Sequence, residues 1–253
     1  MAVTDTSSWT SWHDLHLNID EYFTHYDGYI FRGQADAEWH LESNLTCSIR
    51  KIHPNAGPEE IEQIVNGHQS SFKQNIRGRC ALDLENASSD SIWSLGQHFG
   101  LSTPLLDWTR SPYVALFFSL FGPCISGKRA LWAIFESDVD QTQNNKLKKI
   151  RIIRPLGHEN QRLVNQNGLF MDLPVGKSAD EIVAKMKNEE WVTMYKFEFP
   201  DRLRDDILAA LNNMNINHAS LFPDLIGASL FANYTLEARP YLDTARTTGF
   251  IGN

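Results

Sequence analysis

Apolar positions along the chain follow two rhythms. Between Ser11 and Tyr26, the residues Leu15, Ile19, Tyr22, Phe23 and Tyr26 recur at spacings that predict one helix face, with Ser11 and Asp14 placed to cap its start. After Pro58, a residue suited to a first helical turn, Ile61, Ile64, Val65, His68, Phe72 and Ile76 keep the same period and predict a long amphipathic helix. A shorter helix is expected over residues 88–98, stopped by Gly100, and another after Ser111-Pro112. The apolar run 113–125 is too short to span a bilayer and contains Gly122-Pro123, so it reads as a buried helix and its stop.

The second rhythm is that of strands. Tyr29-Ile-Phe-Arg-Gly-Gln34 is a short aromatic and β-branched run, and Trp39-His-Leu41 is its expected antiparallel partner. Leu105-Leu-Asp-Trp108 reads as extended and residues 129–136 as a buried strand. Strands at 151–154 and 168–173 flank a short helix at 159–165. Further on, a helix is expected at 178–187, a strand at 191–199, and helices at 201–212 and 223–238, while the polar stretch 141–149 reads as a surface loop or a frayed helix. The pattern predicts an α+β fold, a small mixed or antiparallel sheet surrounded by several helices. It is expected to form a single domain over 1–253, with a helix at 11–26 ahead of a core at about 29–238.

Composition changes this picture in two ways. With 31 acidic and 23 basic residues the net charge is -8, which argues against strong nucleic-acid affinity based on phosphate neutralisation. The three cysteines, Cys47, Cys80 and Cys124, form neither a disulfide framework nor a CxxC knuckle, and a reducing cytoplasm is the expected compartment. Residues 1–12 show no basic start followed by an apolar stretch, so neither a signal peptide nor a membrane partner is expected.

Two segments concentrate polar groups among apolar ones. In Phe31-Arg32-Gly33-Gln34, an arginine at a strand end can bind phosphate bidentately, glycine admits a close ligand, and Gln34 adds a donor and an acceptor. The alternative is that Arg32 pairs with a core carboxylate and Gly33 makes a bulge. In Gln97-His98-Phe-Gly-Leu-Ser-Thr-Pro-Leu-Leu-Asp107-Trp108-Thr109, the groups of His98, Thr103, Asp107 and Thr109 need partners wherever they are buried. Either they converge on a ligand or they hold a structural turn, with Leu105, Leu106 and Trp108 as core. His98 and Asp107 with His158 and Glu159 are a metal alternative, although the spacing matches no standard site. The sequence has no HExxH, no GxxxxGK[ST] and no GxSxG. Lys146, Lys148, Lys149 and Arg151 read as a solvated loop.

These segments are where the chain resembles the FRG-domain family, named after its Phe-Arg-Gly signature. Phe31-Arg32-Gly33-Gln34 is followed by Trp39, Leu41, Ser43 and Arg50, and the second hallmark runs from Gln97-His98-Phe99-Gly100 through Thr103 to Leu106-Asp107-Trp108-Thr109. Weaker matches are Gln166-Asn-Gly168-Leu-Phe170 and Leu221-Phe-Pro-Asp224-Leu-Ile-Gly227. The family's members occur in bacteria, phages and mobile elements, which implies a toxin or anti-phage defence role. The Phe-Arg-Gly strand also resembles the opening strand of ADP-ribosyltransferases. That likeness implies an NAD-using transferase with no permanently bound cofactor, acting on an unknown acceptor. Arg32 would hold the NAD phosphates, Gly33 the nicotinamide amide, and His98 or Thr103 the ribose, while Asp107 would orient Arg32 or His98. Glu198, in Tyr195-Lys-Phe-Glu-Phe199, is the expected late-strand carboxylate; Gln166 is the other choice, but Gln cannot act as a base.

The resulting site has Arg32, His98, Asp107 and Glu198 as catalytic candidates. Arg32, Gly33, Gln34, Gln97, Thr103 and Thr109 are its expected contacts to a nucleotide-type ligand. A non-catalytic sensor for a phosphate-bearing ligand is the competing expectation, and a metal-assisted hydrolase or nuclease the third.

Overall fold

The computed structural model describes residues 3–5, 9–23, 25–80, 82–141, 150–155, 161–186 and 194–247. Its strands are β1 (Val3–Asp5), β2 (Tyr29–Gln34), β3 (Leu105–Thr109), β4 (Lys128–Phe135), β5 (Arg151–Ile153), β6 (Gly168–Asp172) and β7 (Met194–Pro200). They form one seven-stranded sheet in the order β1-β7-β4-β2-β3-β6-β5. Only β1 runs parallel to its neighbour, β7; the other pairs are antiparallel. The fold is α+β, as the two rhythms predict.

The two faces of the sheet bury different helices. On one side Phe31, Leu131, Ala133 and Phe197 pack against α1 (Trp12–Phe23), α5 (Pro112–Ser119) and α9 (Arg204–Asn213). On the other, Ile30, Trp108, Trp132 and Met171 meet Ile182 and Val183 of α8 (Ala179–Met186). A third cluster joins α2 (Asn44–Ile52), α3 (Pro58–Asn75) and α4 (Ser89–His98) to Leu105 and Phe170 at the sheet's end. Local chemistry sets the helix starts. Ser88 accepts the backbone N–H of Ser91, and Ser111 that of Val114, ahead of Pro112 in the first turn of α5. His68, on the inner side of α3, bonds the carbonyl of Ser102 at 2.9 Å, a structural partnership. Among the described residues no helix is long and apolar enough to cross a membrane.

The expected β2 partner at residues 39–41 is not a strand; β2 pairs along its full length with β4 instead. The chain after β2 is turned by Asp36, a buried carboxylate that accepts the backbone N–H groups of Ser126 (2.9 Å), Glu38 (2.9 Å) and Ile125 (2.6 Å). Those donors, the Ser126 N–H foremost, pull its pKa down to about 2. Helix α2 then starts at Ser43, whose hydroxyl accepts the N–H of Thr46; the pattern analysis did not anticipate it. Expected elements at 142–149, 156–160 and 187–193 lie outside the described residues.

One ion pair ties this turn to α8. His40 Nδ1 lies 2.9 Å from Asp180, which also accepts the backbone N–H of Leu41. The hydrogen bond to Asp180 raises the imidazole pKa above its ordinary value, with Glu42 and Glu181 adding to it. A raised folded-state pKa stabilises the protonated form, so this contribution is fully present below the unfolded value of about 6.5 and is lost as pH rises through the folded value. His40→Ala is therefore expected to lower denaturant stability more at about pH 5.5 than at about pH 9. Equal losses at both pH values would show the pair to be inert.

Candidate functional site

The sheet has a seam. β2 makes six register pairs with β4, from Tyr29 opposite Phe135 to Gln34 opposite Ala130, and β3 makes five with β6. Between β2 and β3 there is a single pair, Phe31 opposite Thr109. Past that rung the strands part, and a cleft of about 340 Å³ opens beside them. Its size is at the lower end of small-molecule pockets.

Phe31, Arg32 and Gly33 line the cleft from β2, and Asp107, Trp108 and Thr109 from β3. Helix α4 contributes Gln97 and His98 at its C-terminal end, and α5 contributes Ala115 and Phe118. The far wall is built by α7 (Gln161–Asn165) with the residue after it, Gln166, by Phe170 of β6, and by Phe222, which lies between α10 (His218–Leu221) and α11 (Leu225–Thr247). The cleft is thus rich in aromatic rings with a few convergent polar groups.

Arg32 reaches across the seam and donates from a terminal guanidinium nitrogen to the Asp107 carbonyl at 2.6 Å. Burial lowers its pKa from the ordinary guanidinium value, and the Asp107 charge works against that shift. Its Nε is buried and has no hydrogen-bond partner among the described residues. The carboxylate of Asp107 is exposed and accepts Gln97 Nε2 at 2.9 Å. Gln97 is itself held from behind, because the Thr103 hydroxyl donates to its Oε1 and accepts the backbone N–H of Leu105 at 3.2 Å. Thr103 is fully buried and does not line the cleft; it positions Gln97. The Thr109 hydroxyl donates to the Gln166 carbonyl at 2.6 Å, joining β3 to the far wall. The His98 ring packs edge-on against Phe99, with centroids 4.7 Å apart.

Two more expected site residues lie outside the cleft. Gln34 is buried, donates to the His40 carbonyl at 3.0 Å and accepts Trp132 Nε1 at 2.6 Å, and does not line the cleft. Glu198 is on β7, which β4 separates from β2, and it is paired with Lys196 at 2.8 Å and Lys128 at 3.3 Å. Burial pushes the Glu198 pKa up, but Lys196 and then Lys128 outweigh it and hold the carboxyl below its ordinary value. Gly33 does line the cleft, yet the space where its side chain would be is filled by protein. A Cβ there would lie 1.9 Å from the Ala115 carbonyl oxygen and 2.6 Å from the Ser119 nitrogen. The glycine lets the backbone of α5 rest on β2.

Residues 27–124 match the family model of the FRG domain. No curated protein and no solved structure matches the chain. The FRG segment supplies the near walls of the cleft, from Phe31 to Phe118. The far wall comes from beyond it, and Gln166, Phe170 and Phe222 there fall in the two weaker motif matches.

Arg162 is the site residue that sequence reasoning missed. Its guanidinium lies over the Phe222 ring at 5.3 Å and pairs with Asp224 at 2.5 Å. Asp224 in turn caps α11, accepting the backbone N–H of Ile226 at 2.9 Å and of Gly227 at 3.0 Å. The Gly227 N–H, ahead of Arg162, holds the Asp224 pKa below its ordinary value. No periodicity in the sequence announced it, because α7 is only five residues long and Gln166 lies beyond its end.

Proposed function

We propose that this protein binds a phosphate-bearing, nucleotide-type ligand in the seam cleft. The observation that carries the reading is Arg32, a guanidinium drawn partly out of water at the cleft wall with a buried nitrogen that no described protein group satisfies. Such a group costs free energy until an anionic acceptor meets it, and phosphate oxygens match the fork of arginine. The rings of Phe118 and Phe222, with centroids 5.9 Å apart, give a base an apolar shelf in the same cleft. NAD is the first nucleotide to test, because the Phe-Arg-Gly strand resembles that of ADP-ribosyltransferases.

Within this reading the transferase role falls to the residues the cleft brings together. Arg32 neutralises phosphate, and Asp107, the only carboxylate among the cleft's described residues, faces the ligand with its orientation set by Gln97. The competing reading is a sensor that binds without turnover, and the position of Glu198 outside the cleft favours it. Of the metal alternative, His98 and Asp107 line the cleft while His158 and Glu159 lie outside the described residues, among which no group of three such ligands gathers. A cytoplasmic toxin or defence effector is the cellular role that fits a nucleotide-consuming activity.

The test is a thermal-shift and nicotinamide-release series with NAD and ADP-ribose on wild type and Arg32→Gln. A ligand specific to the folded state raises the midpoint in wild type, and the variant is expected to lose about a hundredfold in affinity. Nicotinamide release in wild type selects the transferase reading; a midpoint rise without release selects the sensor. Equal binding by wild type and a folded Arg32→Gln would remove the basis of the proposal.

A further inference from the structure

We infer that Arg32 and Trp108 together form a two-donor subsite for one phosphate group. The inference rests on the reading of the cleft as a phosphate-ligand site and extends it to a residue that otherwise passes for core. Trp108 is only 2% exposed, and its Nε1, a donor that cannot accept, has no hydrogen-bond partner among the described residues. The same is true of Arg32 Nε. Both residues line the cleft.

Register explains why the two meet. With Phe31 opposite Thr109 in an antiparallel pair, the next position outward sets Arg32 opposite Trp108, and residues so placed leave the same face of the sheet. Arg32 is also fixed in direction, since one terminal nitrogen is committed to the Asp107 carbonyl at 2.6 Å, on the residue just before Trp108. The third such buried atom among the described residues, Trp9 Nε1, belongs to a ring stacked on Phe197 at 5.4 Å and does not line the cleft. Only at the seam, among the described residues, do two residues with unmet donors take facing register positions, and one of them is a cation. A cation and a neutral N–H from facing positions suit a tetrahedral oxyanion, which offers each a separate oxygen.

The test uses the full chain labelled with ¹⁵N in its seven tryptophan indoles, with Trp108→Phe assigning the Trp108 resonance. Inorganic phosphate, pyrophosphate, ADP-ribose and NAD are titrated separately, with thermal midpoints measured alongside. The Trp108 indole N–H is expected to move downfield on saturation and to stay in place in Arg32→Gln. Trp108→Phe is expected to weaken binding about tenfold. If ADP-ribose or NAD raises the midpoint while the Trp108 signal stays fixed, the subsite is overturned and the nucleotide reading stands. If inorganic phosphate or pyrophosphate moves the signal and neither nucleotide binds, the subsite stands and the nucleotide reading falls. If no probe moves the signal or the midpoint, both fall. The indole readout comes from the wild type, so it holds even if Trp108→Phe folds poorly.

Discussion

Residues 27–124 expressed alone are expected to show a disordered far-UV circular dichroism spectrum and no cooperative unfolding transition. The FRG match includes β2 and β3, yet the ladders that hold those strands lie outside it. β2 is bonded along its length to β4 (Lys128–Phe135), and β3 to β6 (Gly168–Asp172). Within the segment the two strands share one register pair, and a two-stranded contact of that size is not stable in water. Phe31 and Leu116 would lose Leu131 and Phe197, which complete their cluster. Adding back residues 125–247 on the same chain should restore a dispersed ¹H–¹⁵N spectrum. A cooperative melt of the isolated segment would show that α2 to α5 hold a core of their own.

Gly33→Ala is expected to destabilise the full chain by about 3 kcal/mol or more, whereas Gly67→Ala should stabilise it by about 1 kcal/mol. At Gly33 the added methyl falls 1.9 Å from a backbone oxygen of α5, a contact that no rotamer can relieve. The helix must lift from β2, and its neighbours Leu116, Phe117 and Leu120 are among the most buried side chains in the protein. Gly67 is exposed within α3, with nothing inside 4 Å of the new Cβ, so alanine there adds only helix propensity. Urea denaturation of the two variants separates these outcomes. A loss below about 1 kcal/mol at Gly33 would mean that α5 shifts freely, and the packing account of the Phe-Arg-Gly motif would fail.

The sequence made the near side of the site legible because its chemistry is local. The Phe-Arg-Gly strand and the Gln97-to-Thr109 segment each carry several cleft residues in a short stretch, and a resemblance can be read from them. The far wall depends on chain folded back from a distance. The helix bearing Arg162 is five residues long, too short for periodicity to announce a face. Glu198 looked suitable because it stands on a strand. By register it shares a sheet face with Arg32, but β4 stands between its strand and β2, and two lysines bind it there. Trp39 to Leu41 looked like a strand because short apolar patterns carry no information about the partner, and the partner of β2 comes almost a hundred residues later in the chain. Thr103 was a polar group needing a partner wherever buried and Gln34 an expected ligand contact, and both find their partners inside the protein.

The single rung at Phe31 and Thr109 has a mechanical meaning. It divides the sheet into a leaf of four strands, β1-β7-β4-β2, and a leaf of three, β3-β6-β5, fastened along their shared edge by one stitch. Each leaf is laced internally, so bending concentrates at the join, where few backbone hydrogen bonds oppose it. A phosphate gripped by Arg32 on one leaf and Trp108 on the other would sew a second stitch across that line. Filling the cleft and stiffening the sheet would then be the same event, and slowed amide exchange along β2 and β3 would report occupancy.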